Sequence, residues 1–167
     1  MTTPDIDPTL PEVVQRFLAA GAKLESIRLD AEGTWWHRGA LFENPKLIHL
    51  FHGSVGRTEG GTWVLEIPPF TYPIEVEDTG FFVKRLEFDE DGERVRLHLL
   101  GGAVEELDPD TLVADDRGMT CRIKQGRFRA RLTRGAYYAL TEHVTEEGGD
   151  FLLSLGDRRW TIAADGA

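Results

Sequence analysis

The chain is nearly without cysteine: its 167 residues contain only Cys121. A single thiol excludes an internal disulfide framework and any multi-cysteine zinc site. The residues around it read as a strand, so a buried, inert thiol is expected rather than a nucleophile. Long apolar runs are also missing, and no stretch is long and apolar enough to span a bilayer. Residues 1–11 lack the basic start and apolar core of a signal peptide, which makes a cytoplasmic location the expectation. There is no phosphate-loop lysine motif, no Gly-x-Ser-x-Gly, no His-Glu-x-x-His and no dinucleotide glycine fingerprint. Positive charge is in short supply. The formal net charge is −10 and the pI is near 4.9, which argues against general nucleic-acid binding and against an anionic membrane surface.

Against that acidic background, one segment is cationic. Arg122, Lys124, Arg127, Arg129, Arg131 and Arg134 fall within residues 121–134 with no acid among them. Strand side chains alternate with period two, so Arg127, Arg129 and Arg131 are expected on one face and Phe128, Ala130 and Leu132 on the other. This predicts a half-buried strand, apolar inward and cationic outward. Gly126 suits a turn, with residues 121–124 as the partner strand. Thr133 is a fitting N-cap, and Tyr137, Leu140 and Val144 then recur at helical spacing. The plain alternative is a solvated basic face that neutralises nearby acids.

The rest of the chain reads as alternating short elements. Residues 1–8 are polar and expected to be loose. Thr9 to Glu12 has capping-box form, followed by Val13, Val14, Phe17 and Leu18, with Gly21 as a stop. A hairpin is expected over residues 24–38 about Gly33. Asn44-Pro45 marks a helix start, with Leu47, Phe51 and Val55 as its apolar stripe and Gly56 as its end. Residues 62–67 read as a strand, and Pro68-Pro69 forces an edge or a bend after it. Tyr72, Ile74 and Val76 alternate as the next strand. Residues 81–88 and 93–100 form a hairpin about Asp91-Gly92. Residues 101–118 are acidic and turn-rich, with one short strand near Ala103-Val104. Residues 151–155 and 158–163 close the chain as a hairpin.

An internal similarity emerges from this pass. Residues 59–67 match residues 147–155 at an offset of 88, which also carries the Pro45 helix onto the Thr133 helix. Residues 33–38 match residues 126–131 at an offset of 93. The expected fold class is α+β, with two related β-hairpin/helix/β units packed together. The expected divisions are residues 1–22 as tail and short helix, 23–80 as the first repeat and 81–167 as the second.

Candidate chemistry is sparse. His49 and His52 lie one helical turn apart and can share a metal, but no companion ligands stand at a known spacing. Glu75, Glu77 and Asp78 form an acidic cluster suited either to acid-base work or to pairing with the basic strand. The pairs Trp35-Trp36, Phe81-Phe82 and Tyr137-Tyr138 each offer one ring to the core and leave the other free to face outward, with core and rim packing as the plain alternative. An outward ring can stack on a base.

Three stretches together resemble the bacterial proteins of the domain of unknown function 1285 family. Ile27 to His37, with Asp30, Gly33 and Trp35, is similar to that family's Arg-Asp-Gly-x-Trp hairpin. Leu47 to Phe51, then Gly61 to Asp78 with Pro68 and Val76-Glu77-Asp78, is similar to its Leu-Phe, Thr-Pro and Val-Glu-Asp-x-Pro-Phe segments. Ile123 to Leu140, ending at Ser154 and Gly156, is similar to its Leu-Glu-Ala-Arg segment, following helix and closing Ser-x-Gly. The resemblance implies a duplicated α+β core whose second half is like a pleckstrin-homology fold. It also implies a small-ligand site between the halves, proposed for a nucleotide-like molecule, and a regulatory role without enzymatic activity. The chain departs from the family at Ile67-Pro68-Pro69-Phe70-Thr71, at Thr79-Gly80-Phe81 and at Arg129, which leaves the ligand more open than the fold.

The reading that results is a non-enzymatic, ligand-binding or regulatory protein acting in signal transduction. Arg127, Arg129, Arg131 and Arg134 are expected to contact phosphate, because arginine forks match its oxygens. Glu77 and Asp78 are expected to orient them or accept from a base or ribose, and Trp35 or Trp36 to stack. No cofactor and no resident metal are expected. The first alternative is a metal-assisted phosphate-ester hydrolase using Glu77 or Asp78 with a metal near His49 and His52. The second is a protein–protein interaction module.

Overall fold

The computed structural model describes residues 6–20 and 26–165. The chain forms two compact units, the first ending at Gly80 and the second beginning at Phe81. No helix among the described residues is long and apolar enough to cross a membrane. The architecture is mixed α+β, dominated by strands.

The first unit opens with helix α1 (Glu12–Ala19). Its N-cap is Pro11 rather than Thr9, and no side chain caps it. Thr9 is occupied elsewhere: its backbone N–H and its hydroxyl donate to the Asp7 carboxylate, and its hydroxyl accepts from the Gly60 N–H. Asp7 also accepts from the Thr58 and Thr62 hydroxyls, so the end of the segment expected to be loose, residues 7 and 8, is tied down, while residues 1–5 lie outside the described residues. These bonds favour the ionised carboxyl and hold it far below the usual carboxylate range. Leu10 and Val14 then pack on Val64 with Leu18 beside them, whereas Val13 is exposed. The expected stop at Gly21 and the hairpin's start at Leu24 lie outside the described residues, as does the side chain of Phe17.

A Cβ at Gly60 would fall within the Asp7 carboxylate. Gly60→Ala and Asp7→Ala should therefore have the same consequence, release of the N-terminal segment from residues 58–62. Limited trypsin digestion at Arg16 should be faster in each variant, and no faster in the double variant than in the singles. Unchanged cleavage in both singles would refute the tether.

The rest of the unit comprises β1 (Ile27–Leu29), β2 (Trp35–His37), β3 (Ala40–Leu41), α2 (Pro45–Ser54), β4 (Val55–Arg57), β5 (Trp63–Ile67), β6 (Phe70–Pro73) and β7 (Glu75–Val76). As expected, Asn44 caps α2, accepting from Lys46 N at 3.0 Å and Leu47 N at 3.4 Å. The helix passes straight into β4 at Val55 instead of ending at Gly56. The strand expected through Tyr72, Ile74 and Val76 is broken. Ile74 N–H bonds to Trp63 O, and the chain then leaves one sheet for another. One sheet has the order β3-β2-β1-β7, with β7 parallel to β1, and the other is the meander β4-β5-β6.

The second unit contains β8 (Phe81–Phe88), β9 (Val95–Leu99), β10 (Val104–Glu106), a 3₁₀ turn at Pro109–Thr111, β11 (Val113–Asp115), β12 (Gly118–Ile123), β13 (Phe128–Leu132), α3 (Arg134–Thr141), β14 (Val144–Glu147), β15 (Asp150–Leu155), β16 (Arg158–Thr161) and β17 (Ala163–Ala164). Val144 begins a strand, not the last turn of α3. The acidic stretch before Gly118 holds β11 as well as β10. The large sheet has the order β10-β9-β8-β13-β12-β11-β17, and β14-β15-β16 form a separate meander.

The order β13-β12-β11-β17, antiparallel twice and then parallel, is the order of β3-β2-β1-β7. In both units a capped helix and a three-stranded meander stand between the third and fourth of these strands. The ladders align Leu29 with Ala114, Trp35 with Met119 and Trp36 with Thr120. They therefore correct the match of residues 33–38 with residues 126–131, because strand pairing outranks a shared glycine-aromatic pattern.

Each aligned hairpin begins with an aspartate. Asp30 accepts from the Glu32 N–H at 3.0 Å and Asp115 from the Arg117 N–H at 2.9 Å. What these two carboxylates reach next sets the character of each unit.

Candidate functional site

In the first unit Asp30 accepts from Trp36 Nε1 at 2.8 Å and from the Thr34 N–H at 2.9 Å. Burial pushes its pKa up, but the Trp36, Thr34 and Glu32 donors and the Arg28 charge outweigh that and hold it low. Arg28 lies over the Trp36 ring at 5.4 Å and pairs with Glu77, whose other oxygen accepts from the Ala31 N–H at 3.1 Å. Glu77 is thus committed to the β1–β7 end of its own sheet, and Asp78 follows it with partners of its own. Trp36 is half-buried with one face on Arg28.

Trp35 does not match the expected stacking role. It is 2% exposed, edge-on to Phe51 with ring centroids 5.3 Å apart, and its indole N–H lies 3.2 and 3.3 Å from the ring nitrogens of His52. His52 is buried, and its pKa falls to about 4, mainly through burial and then through the neighbouring His49. His49 is exposed, so the two imidazoles do not face one open metal position. Among the described residues no three ligating side chains gather where a metal could sit.

The basic run lies in the second unit. The β12–β13 hairpin pairs Ile123 with Phe128, Arg122 with Arg129, Cys121 with Ala130 and Thr120 with Arg131. Arg129 and Arg131 do share a face, as alternation requires, but their surroundings differ. Arg131 is not outward: it is 5% exposed and donates both arms of its fork to Asp115, at 3.0 and 2.7 Å. The Arg131 hydrogen bonds are the main reason the Asp115 carboxyl is held low. Burial opposes them, and Arg117 N–H and the Arg129 charge add to the lowering.

Arg127 sits at the hairpin end, its Nε donating to Lys124 O at 3.2 Å and its guanidinium 5.7 Å from the Phe128 ring. Arg134 opens α3 at the far end of β13. The five residues of β13 separate them by about 16 Å of extended chain, so the four arginines do not form one cluster.

The structure brings together a different set. An open groove of about 460 Å³ runs beside Arg122 and Arg129, bounded by Thr111, Val113, Thr120 and the β17 end at Ala163, Ala164 and Asp165. Arg122 is exposed and makes no side-chain hydrogen bond or ion pair among the described residues. Its backbone N–H is fixed by the Thr111 hydroxyl at 3.0 Å. The two arginines stand directly opposite on antiparallel strands, with Cβ atoms about 5 Å apart, and Arg129 has an interaction of its own and acts on the Asp115 charge.

Arg122 belonged to the basic run but not to the expected site. The signal for it was local: a turn over residues 124–127 places Arg122 across from Arg129. Asp165 and Thr111 had no such signal, because a parallel pairing and a 3₁₀ turn bring them in.

Cys121 is 1% exposed, and burial, with Glu105 nearby, pushes its thiol up to about 12. Native protein should leave a disulfide reagent such as DTNB unreacted over an hour, and one thiol should titrate at once in guanidinium. Reaction within minutes in native buffer would contradict a sealed, protonated thiol.

No family model matches the chain, and no curated protein does. Two solved structures are similar. One is a DUF1285 family protein from Silicibacter pomeroyi DSS-3, with 18% identity over 83% of this chain and 80% of that one, at a TM-score of 0.64. The other is a DUF1285 family protein from Shewanella baltica OS155, with 18% identity over 71% of this chain and 92% of that one, at a TM-score of 0.57.

Proposed function

We propose that this chain, which has the fold of the DUF1285 family proteins, is a non-enzymatic small-ligand-binding protein with a regulatory role. Its ligand is a phosphate-bearing molecule held by Arg122 and Arg129. The observation that carries the reading is the opposed arginine pair on the wall of a groove in a chain of net charge −10. Arg122, exposed at the surface, offers an anion a charge-assisted contact, and Arg129, which has an interaction of its own, stands opposite to offer a second. The groove's volume lies within the usual range of small-molecule sites. The shared strand order of the two units further supports descent by internal duplication, with the ligand function residing in the second copy. Metal-assisted hydrolysis has less support, because His52 is sealed against Trp35 and Glu77 is engaged by Arg28.

Thermal unfolding at low salt with inorganic phosphate, ribose 5-phosphate and AMP tests the proposal. A ligand at a hundredfold over its Kd should stabilise by about 2.7 kcal/mol, seen as a rise of several degrees that fades with added salt. No rise with any of the three would refute it.

A further inference from the structure

The lining of the groove narrows the ligand class, granting the reading just given. No aromatic side chain lines it among the described residues. Its walls are the two arginines, threonines, short aliphatic side chains, the buried Cys121 and one carboxylate, Asp165. A nucleobase is held by stacking on rings, and its absence here removes the main favourable contact for one. The aromatic side chain in the expected site that remains half exposed, Trp36, belongs to the first unit and is engaged by Arg28 and Asp30.

Asp165 has the opposite chemistry to the arginines. An ionised carboxylate only accepts hydrogen bonds, so its natural partners are hydroxyls or cations. It is held in place by its backbone N–H, which donates to Ala114 O at 2.8 Å as β17 leaves β11. The groove therefore offers an anion its two arginines and offers hydroxyl donors Asp165.

We propose that the groove takes a sugar phosphate or similar polyol phosphate monoester. Its phosphate would lie between Arg122 and Arg129 and its hydroxyls would donate to Asp165, with no site for a base.

Isothermal titration at low salt with inorganic phosphate, ribose, ribose 5-phosphate and AMP tests this. Ribose 5-phosphate should bind at least tenfold more tightly than inorganic phosphate, ribose should give no heat, and AMP should bind no more tightly than ribose 5-phosphate. Asp165→Asn should weaken ribose 5-phosphate several-fold and leave inorganic phosphate unchanged. Tenfold tighter AMP would overturn the inference while leaving the proposed function standing, as would inorganic phosphate binding as tightly as ribose 5-phosphate. Failure of every phosphate to bind would overturn both.

Discussion

Asp115→Ala should destabilise the second unit by up to about 3 to 5 kcal/mol, the cost of fully stranding one member of a buried ion pair. Arg131 is 5% exposed and both arms of its fork end on Asp115. Without the carboxylate the buried Arg131 loses both charge-assisted bonds and keeps only its remaining interaction, with Arg129 on the same face to repel it. The converse change is expected to be milder. Arg131→Met leaves a carboxylate that is 15% exposed, still accepts from Arg117 N–H and remains near Arg129. Replacing both, Asp115→Leu with Arg131→Met, should return most of the stability, since a hydrophobic pair of similar volume is often as stable as a buried ion pair. Urea unfolding of the four proteins measures all three terms. Equal losses in the two single variants, with no recovery in the double, would show that the pair is not what holds this corner of the sheet.

The first unit should lose up to about 3 kcal/mol between pH 7 and pH 4 through His52 alone, because burial holds its pKa at about 4 instead of the ordinary 6.5. The sign follows from the depressed pKa. The unfolded chain takes up a proton near pH 6.5, whereas folded His52 resists until about 4, so stability is intact above pH 6.5 and falls as the pH drops towards 4. The geometry gives the reason. The Trp35 N–H points at the imidazole and needs an acceptor, which imidazolium cannot be. His52→Gln retains an acceptor and cannot titrate, so its stability should stay flat between pH 7 and pH 5 while that of the parent falls. Parallel pH profiles for the two proteins would place the acid sensitivity elsewhere.

Local signals in the sequence were sufficient for most elements. Asn44-Pro45 starts α2, Asp91-Gly92 turns between β8 and β9, and Thr133 caps α3 because a side-chain oxygen, a rigid φ or a left-handed glycine decides each within a few residues. The failures share a cause. Thr9 reads as a cap until Asp7 and Gly60, 51 residues away, claim its hydroxyl. Val144 fits a helical stripe until β15 offers it a ladder. Arg131 reads as an outward cation because alternation gives the face but not what covers it, and Asp115 lies in a stretch that reads as turns. The same limit governed the site. Arg127 and Arg134 looked like part of a cluster through sequence proximity, while the groove's far wall arrives with β17, a two-residue strand joined in parallel to β11.

Titrating ribose 5-phosphate into the unaltered protein, into the Arg122→Gln/Arg129→Gln variant and into Arg134→Gln tests the central claim most directly. The opposed pair is predicted to carry the affinity, so the double variant should bind at least a hundredfold more weakly, about 2.7 kcal/mol, while Arg134→Gln binds as the parent does. Parent-like affinity in the double variant, or loss of binding in Arg134→Gln with the double variant intact, would contradict it.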